Sequence, residues 1–286
     1  MKVPPALQEL IDDGIIDGVR RQLKSGKEAS VYVVSAGGEL RCAKVYKDMR
    51  QRSFQQRAQY QEGRKARGSR QQRAMGKSGS EFGRKASEEQ WKNTEVDALY
   101  QLHRAGLRVP EPFGFYSGVL VMEMLVDDTG NSAPRLSEVE ATPEQARIWH
   151  KFLIEQVKLM LCQGLIHGDL SEYNVLIDVN GPVIIDLPQV VSAAGNNNAL
   201  EMLKRDVGNL NRCLAVFAPE LADTKYAEEM WALFEQSKLQ VDTVLTGRHK
   251  VKHQRIDVAA VMDAIVDAKQ VALIRQQGRE AADEER

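Results

Sequence analysis

Long apolar runs are missing from the sequence: none approaches the ~20 residues that a membrane-spanning helix requires. The opening MKVPPALQELIDDG also sets prolines and acids where a secretory leader needs an apolar segment. The expectation is a cytoplasmic protein with no membrane partner. Cysteine is scarce as well. Cys42, Cys162 and Cys213 are far apart, odd in number and without CxxC spacing. That argues against a disulfide framework or a zinc site and for buried reduced thiols. Net charge is nearly absent, with 39 basic against 40 acidic residues, so the overall balance says little about partners.

What is present is ordinary for a globular chain. Its 286 residues are 43% hydrophobic and 28% charged, enough for two lobes with separate cores. Leu7, Leu10 and Ile11 predict a short amphipathic helix that Asp12, Asp13 and Gly14 close. The period then changes to that of strands. One strand is expected before a turn at Gly26, a second over Ala29 to Ser35, and a third over Leu40 to Tyr46 after a Gly37-Gly38 hairpin. From Lys47 to Lys85 the apolar signal disappears, and 12 basic residues stand against three acids. Such a segment buries too little to offset ordering entropy, so residues 47–85 are expected to form a basic flexible loop.

Order returns at SEEQWKNTEVDALYQLHRAGL. Ser87 is the expected N-cap, Glu88 to Gln90 fill the first turn, Trp91, Glu95, Leu99 and Leu102 share one side, and Gly106 stops the helix. VPEPFGFYSGVLVMEMLV predicts a strand pair around Gly118. Thr142 to Cys162 predicts one long helix with Ile148, Phe152, Val157, Leu159 and Leu161 toward the core. Three further helices are expected in the C-terminal third: ALEMLKRDVGNLNRCLAVFA, Tyr226 to Leu239, and RIDVAAVMDAIVDAKQVALIRQ.

Between these helical regions lies QGLIHGDLSEYNVLIDVNGPVIIDLPQ, Gln163 to Gln189. His167, Asp169 and Asn174 have the HxDxxxxN spacing of a phosphoryl-transfer loop, and Asp186 follows an apolar strand twelve residues after Asn174. Phosphoryl transfer asks a protein mainly to position the acceptor and to neutralise phosphate charge. Asp169 can orient an attacking hydroxyl. Asn174 and Asp186 offer the oxygen ligands that magnesium prefers. His167 is expected to brace the loop. Each of these residues alone is common at turns and strand ends; their joint spacing is not.

Two upstream features agree. Lys44 lies in the apolar-flanked RCAKVYK, and Glu95 on the following helix can pair with it and hold it against nucleotide phosphates. Before them, SGKEASVY stands where a nucleotide-covering turn belongs, although it has neither GxGxxG nor a Walker A pattern. Gly26 permits close approach of the backbone, and Ser25, Lys27 and Ser30 can meet phosphate.

These segments resemble the RIO family of atypical serine/threonine protein kinases. The resemblance rests on SGKEASVY, CAKVYK, WKNTEVDAL, VPEPFGF, HGDLSEYNVL, IIDLPQ and ALEMLKRDVGNLNRCL, and covers most of Leu23 to Leu214. It implies an α+β, two-lobed protein-kinase-like fold. Residues 1–123 would be an antiparallel-sheet N-terminal lobe and residues 124–286 a mainly helical C-terminal lobe. The family has no activation segment and no APE substrate platform, and Leu187-Pro188 after Asp186 fits that pattern. Ser171 stands where ordinary kinases place a lysine. Carried over by position, Asp169 is the catalytic aspartate, Asn174 and Asp186 the metal ligands, and Lys44 with Glu95 the phosphate-binding pair. Met122 falls near the gatekeeper position, with the backbone of Glu123 and Leu125 meeting adenine. The cofactors implied are ATP and Mg2+, with Mn2+ as a substitute. The N-terminal segment is too short for the winged helix of one branch, so a bacterial member of the other branch is expected.

Three functions stay open at this point. One is ATP-dependent serine/threonine phosphorylation, including of itself, with Ser69, Ser78 and Ser80 as reachable acceptors. Another is an ATPase switch in ribosome maturation that meets ribosomal RNA or a ribosomal particle through the basic loop. The third is a small-molecule phosphotransferase of the aminoglycoside or choline kinase type, which also carries HGDxxxxN before IID.

Overall fold

In this computed structural model the described residues are 3–26, 28–47 and 94–249, all within one compact unit. Lys27, the expected acceptors Ser69, Ser78 and Ser80, the N-cap Ser87, Trp91 and the last expected helix fall outside the described residues.

Helix α1 (Pro5–Asp12) starts with a proline in its first turn, where the missing N–H is no loss. It buries Leu7 and Leu10. Strands β1 (Gly18–Ser25), β2 (Ala29–Ala36) and β3 (Glu39–Tyr46) follow as an antiparallel meander, and β4 (Pro112–Tyr116) with β5 (Val119–Glu123) completes a sheet of order β1-β2-β3-β5-β4. The β2–β3 turn puts both Gly37 and Gly38 at positive φ, the backbone of a two-residue hairpin whose twist matches its strands. The β4–β5 turn does the same with Ser117 and Gly118.

Period-two alternation divides the sheet between two cores. Val119 and Val121 of β5 join Tyr32, Val34 and Ala43 under α1, while Leu120 between them faces the main core. Helix α2 (residues 94–104) lies on that second side and buries Val96, Ala98, Leu99 and Leu102. Gly106 then takes φ +84, a conformation that suits glycine at a helix end.

The remaining residues are mainly helical. Thr142 caps α3 (Pro143–Cys162), its hydroxyl accepting from Gln145 N at 3.2 Å. The buried face of α3 runs through Ala146, Trp149, Leu153, Val157 and Leu161. Ile148, expected in the core, is instead 54% exposed. It lies one residue before Trp149, about 100° around the helix from the Trp149 stripe, so a stripe set by Trp149 turns it outward. Phe152 and Leu159 are only partly buried for the same reason. Helix α4 (Ala199–Ala215) packs against α3, and α5 (Tyr226–Glu235) against both. The α5 helix ends four residues before the expected Leu239, where Ser237 takes φ +55 and Lys238 N turns back to Leu233 O at 2.8 Å. Two small antiparallel pairs, β6 (Leu165–Ile166) with β9 (Val191–Ser192) and β7 (Val175–Asp178) with β8 (Gly181–Ile184), carry the loops of interest. No described helix is long and apolar enough to cross a membrane.

Candidate active site

Lys44 sits on β3, paired with Val31 of β2 on one side and Leu120 of β5 on the other. Only 8% of it is exposed. A buried ammonium is costly unless it is paired, and this one has two partners: Glu95 Oε1 of α2 at 2.5 Å and Asp186 Oδ1 at 2.6 Å. Burial disfavours its charge, but Glu95 and then Asp186 outweigh that and hold its pKa well above the ordinary value. The nearby Tyr46 phenol is pushed up by burial and by the Glu95 carboxylate.

Asp186 follows β8 at φ +67, a left-handed conformation that a non-glycine residue adopts at a cost of about 1–3 kcal/mol. Its partial enclosure favours the neutral acid, yet the Lys44 ammonium draws its pKa below the carboxylate range. Behind it, His167 Nε2 lies 3.1 Å from Ile185 O and its Nδ1 lies 3.3 Å from Asp169 N. A carbonyl can only accept and an amide N–H can only donate, so these partners fix one neutral tautomer, with the proton on Nε2. Burial lowers the His167 pKa and favours that same neutral ring. The expected bracing role thus has a geometry: the ring joins the turn before Asp186 to the loop bearing Asp169.

That loop is held from below by α4. Asp206 accepts from Gly168 N at 2.8 Å and from Leu170 N at 3.0 Å. Arg205 donates to Gly168 O, and Asn209 Nδ2 donates to Leu170 O at 2.7 Å. Gly168 itself has φ +81, and an added Cβ would lie 2.6 Å from Gln189 O; glycine is required on both counts. The backbone on both sides of Asp169 is therefore fixed while its side chain stays exposed. The protein surface around it still excludes part of its hydration and raises the Asp169 pKa, Arg205 opposes that, and the negative charge of Asp186 adds to it.

Asn174 N closes a turn on Ser171 O at 2.9 Å, and its Nδ2 donates to Asp169 O at 2.8 Å. Because the amide nitrogen is committed, Oδ1 is the atom that Asn174 can offer a ligand. Asn174 and Asp186 both line a cleft of about 480 Å³ between the sheet and the helical part, together with Lys44, Met122, Glu123 and Leu125. No group of three or more His, Cys, Asp or Glu suited to a metal occurs among the described residues. Two hard oxygen donors nevertheless fit a magnesium-like cation, which completes its shell with phosphate oxygens and water.

Ser25 Oγ and Ser30 Oγ lie 3.2 Å apart, and Lys47 Nζ donates to Ser25 Oγ at 3.0 Å and to Gly26 O at 2.7 Å. The two serines thus hold the turn, and only Gly26 of this group lines the cleft. Glu123 N is committed to Glu111 O at 2.8 Å and Leu125 O accepts from Ala133 N at 3.0 Å. The Leu125 amide N–H is therefore the donor which that residue can turn to a ligand.

Two supporting groups escaped the sequence reading. Asp206 shares a helix face with the buried Met202, Leu203 and Leu210, and an acid among apolar residues at helical spacing is the signal that would have found it. Arg108 precedes β4 and pairs with both Asp178 of β7 and Glu123 of β5. Its N–H donates to Gln156 Oε1 of α3 at 2.7 Å, and its carbonyl accepts from Ile184 N at 3.0 Å. One residue thereby ties the strand leading into the cleft to the elements that carry Asn174 and Asp186.

Comparison with known sequences agrees with this geometry. A family model described as the RIO domain matches residues 30–227. The RIO-type serine/threonine-protein kinase Rio1 of Haloferax volcanii is 34% identical over 208 residues, which cover 72% of this chain and 66% of that protein. The serine/threonine-protein kinase RIO1 of Homo sapiens is 33% identical over 211 residues, covering 72% of this chain and 34% of that protein. The RIO-type serine/threonine-protein kinase Rio2 of Methanocaldococcus jannaschii is 38% identical over 122 residues, covering 42% of this chain and 43% of that protein. The chain thus spans between a third and two thirds of the length of these relatives.

Proposed function

This chain belongs to the RIO domain family, and on that premise we propose that it is an ATP-dependent atypical serine/threonine protein kinase that phosphorylates itself in the cytoplasm. One observation carries the reading: Lys44 is clamped between Glu95 and Asp186 at 2.5 and 2.6 Å, in the cleft that Asn174 also lines. The proposed lobes are residues 1–123 and 124–286, with the nucleotide between them.

In this reading Lys44 holds nucleotide phosphates, and Glu95 keeps it aimed. Met122 flanks the base, whose edge meets the backbone of Glu123 and Leu125. Ser25, Ser30 and Lys27 belong to the turn over the phosphates. Asn174 Oδ1 and the Asp186 carboxylate would hold Mg2+ or Mn2+, which when bound neutralises charge on the polyphosphate. Asp169 accepts a hydrogen bond from the acceptor hydroxyl and orients its oxygen toward the γ-phosphorus; its ionised carboxylate then takes the proton. Asp206, Arg205 and Asn209 keep the Asp169 backbone from drifting. The RIO match does not favour the small-molecule phosphotransferase.

The proposal extends to an ATPase switch in ribosome maturation, with a ribosomal particle or its RNA bound through residues 47–85. The supporting observation is the 12 basic residues against three acids in that segment, and such a contact should weaken steeply with salt. The kinase reading is tested with γ-labelled ATP, following protein-bound phosphate, free phosphate and small acceptors separately. Label on serine or threonine of the protein is expected. Label only on a small acceptor, or undiminished transfer in both Asp169→Ala and Asp186→Ala, would overturn it.

A further inference from the structure

Two neighbours in β1 break the alternation of strand side chains between opposite faces: Leu23 and Lys24 both line the cleft. The pairing explains this. Gln22 stands opposite Tyr32 and Lys24 opposite Val31, so Leu23 is an extra residue in a bulge. A bulge bends its strand and re-aims the side chains beside it. Here it brings Lys24 to the side of the sheet where Val31 and Lys44 face the cleft. Val31 pairs with Lys24 in one direction and with Lys44 in the other. The two lysines therefore share one row, two strands apart, about 10 Å at the backbone.

Charge along this row is unbalanced. Lys44 serves two carboxylates, Glu95 and Asp186. Lys24 is exposed and has no ion pair among the described residues. It lines the same cleft as Asp186, the acid that Lys44 holds at 2.6 Å. A polyphosphate entering beside Asp186 adds several negative charges where one ammonium already faces two acids. A cation that is aimed into the same space and gives up no partner is what that ligand requires. The strand end bearing Lys24 is also anchored, because Lys47 pins the adjoining Ser25-Gly26 turn.

We propose that Lys24 is a second phosphate-binding cation of the cleft, contacting the nucleotide polyphosphate from β1 in the same row as Lys44. This deepens the ATP reading and rests on it. The test is calorimetric titration of the full chain with ATP, AMP and adenosine in the presence of Mg2+, for wild type, Lys24→Gln and Lys24→Arg. Lys24→Gln should weaken ATP about tenfold, the scale of one lost charge-assisted contact. It should weaken AMP less and adenosine not at all, while Lys24→Arg should keep most of the ATP affinity. Equal ATP binding by wild type and Lys24→Gln would overturn the inference and leave the kinase reading standing. Equal weakening of ATP and adenosine would also overturn it, because a merely structural residue does not distinguish the phosphates. Failure of wild type to bind ATP would overturn the kinase reading itself, and this inference with it.

Discussion

Lys44 Nζ and Asp186 Oδ1 lie 2.6 Å apart across 142 residues of sequence, and the same ammonium reaches Glu95. Removing the cation leaves the Glu95 carboxylate, whose side chain is 4% exposed, without its countercharge. Lys44→Met should therefore destabilise the fold by roughly 3 kcal/mol in urea unfolding and abolish phosphate transfer. Normal stability would mean that the pair contributes nothing to the fold.

Asp206 should give the protein a pH-dependent stability. Burial pushes its pKa up to about 7, against the hydrogen bonds from Gly168 and Leu170, whereas an unfolded aspartate titrates near ~3.9. Between these values the folded state binds more protons than the unfolded state. The Asp206 contribution is then fully present below about pH 4 and is lost as pH rises through about 7. Asp206→Asn removes that titration and turns an amide N–H toward one of two backbone donors, at a cost of about 1–3 kcal/mol. Urea midpoints from pH 4 to 8 should fall more steeply for wild type than for the variant; parallel curves would contradict this account.

Arg108 should set nucleotide affinity without touching nucleotide. Arg108→Ala removes the countercharge of the Asp178 carboxylate, whose side chain is 5% exposed and keeps, among the described residues, only the Asn180 N–H, and leaves Glu123 beside the cleft with the Glu111 N–H alone. A loss of about 2–4 kcal/mol in stability and a several-fold rise in the ATP dissociation constant are expected. Asp178→Asn, which keeps an acceptor for the guanidinium, should lie between wild type and Arg108→Ala in both measurements.

The face of α3 can be checked by truncation. Leu153→Ala, at a fully buried position, should cost about 2–5 kcal/mol. Ile148→Ala, at a position 54% exposed, should change stability by less than about 0.5 kcal/mol. The reverse order in chemical denaturation would restore the register expected from sequence.

The difference between these two residues shows what the sequence could carry. The strands, their glycine turns and the α+β order were legible because strand period and hairpin chemistry are local. His167, Asp169, Asn174 and Asp186 stood out because they fall within one short segment with fixed spacing. On α3 the expected Val157 and Leu161 are buried while Ile148 is exposed: several apolar residues compete for that face, and only packing against α4 and α5 selects the Trp149 stripe. Asp206 and Arg108 were missed for a different reason. Asp206 meets Gly168 and Leu170 38 and 36 residues away, and Arg108 meets Asp178 70 residues away, so each looks like an ordinary surface charge until the chain folds. Lys24 was hidden by a bulge, which shifts a side chain to the other face without altering composition.

The most direct test of the central claim is a paired measurement on Asp169→Ala: ATP affinity and the rate of phosphate transfer to the protein, in the same preparation. Asp169 does not line the nucleotide cleft, and its backbone is held by neighbours that the substitution leaves intact. ATP should bind within about twofold of wild type while transfer falls at least about a hundredfold, the usual scale for losing a positioned base. Undiminished transfer with normal ATP binding would contradict the assignment of this loop as the catalytic one.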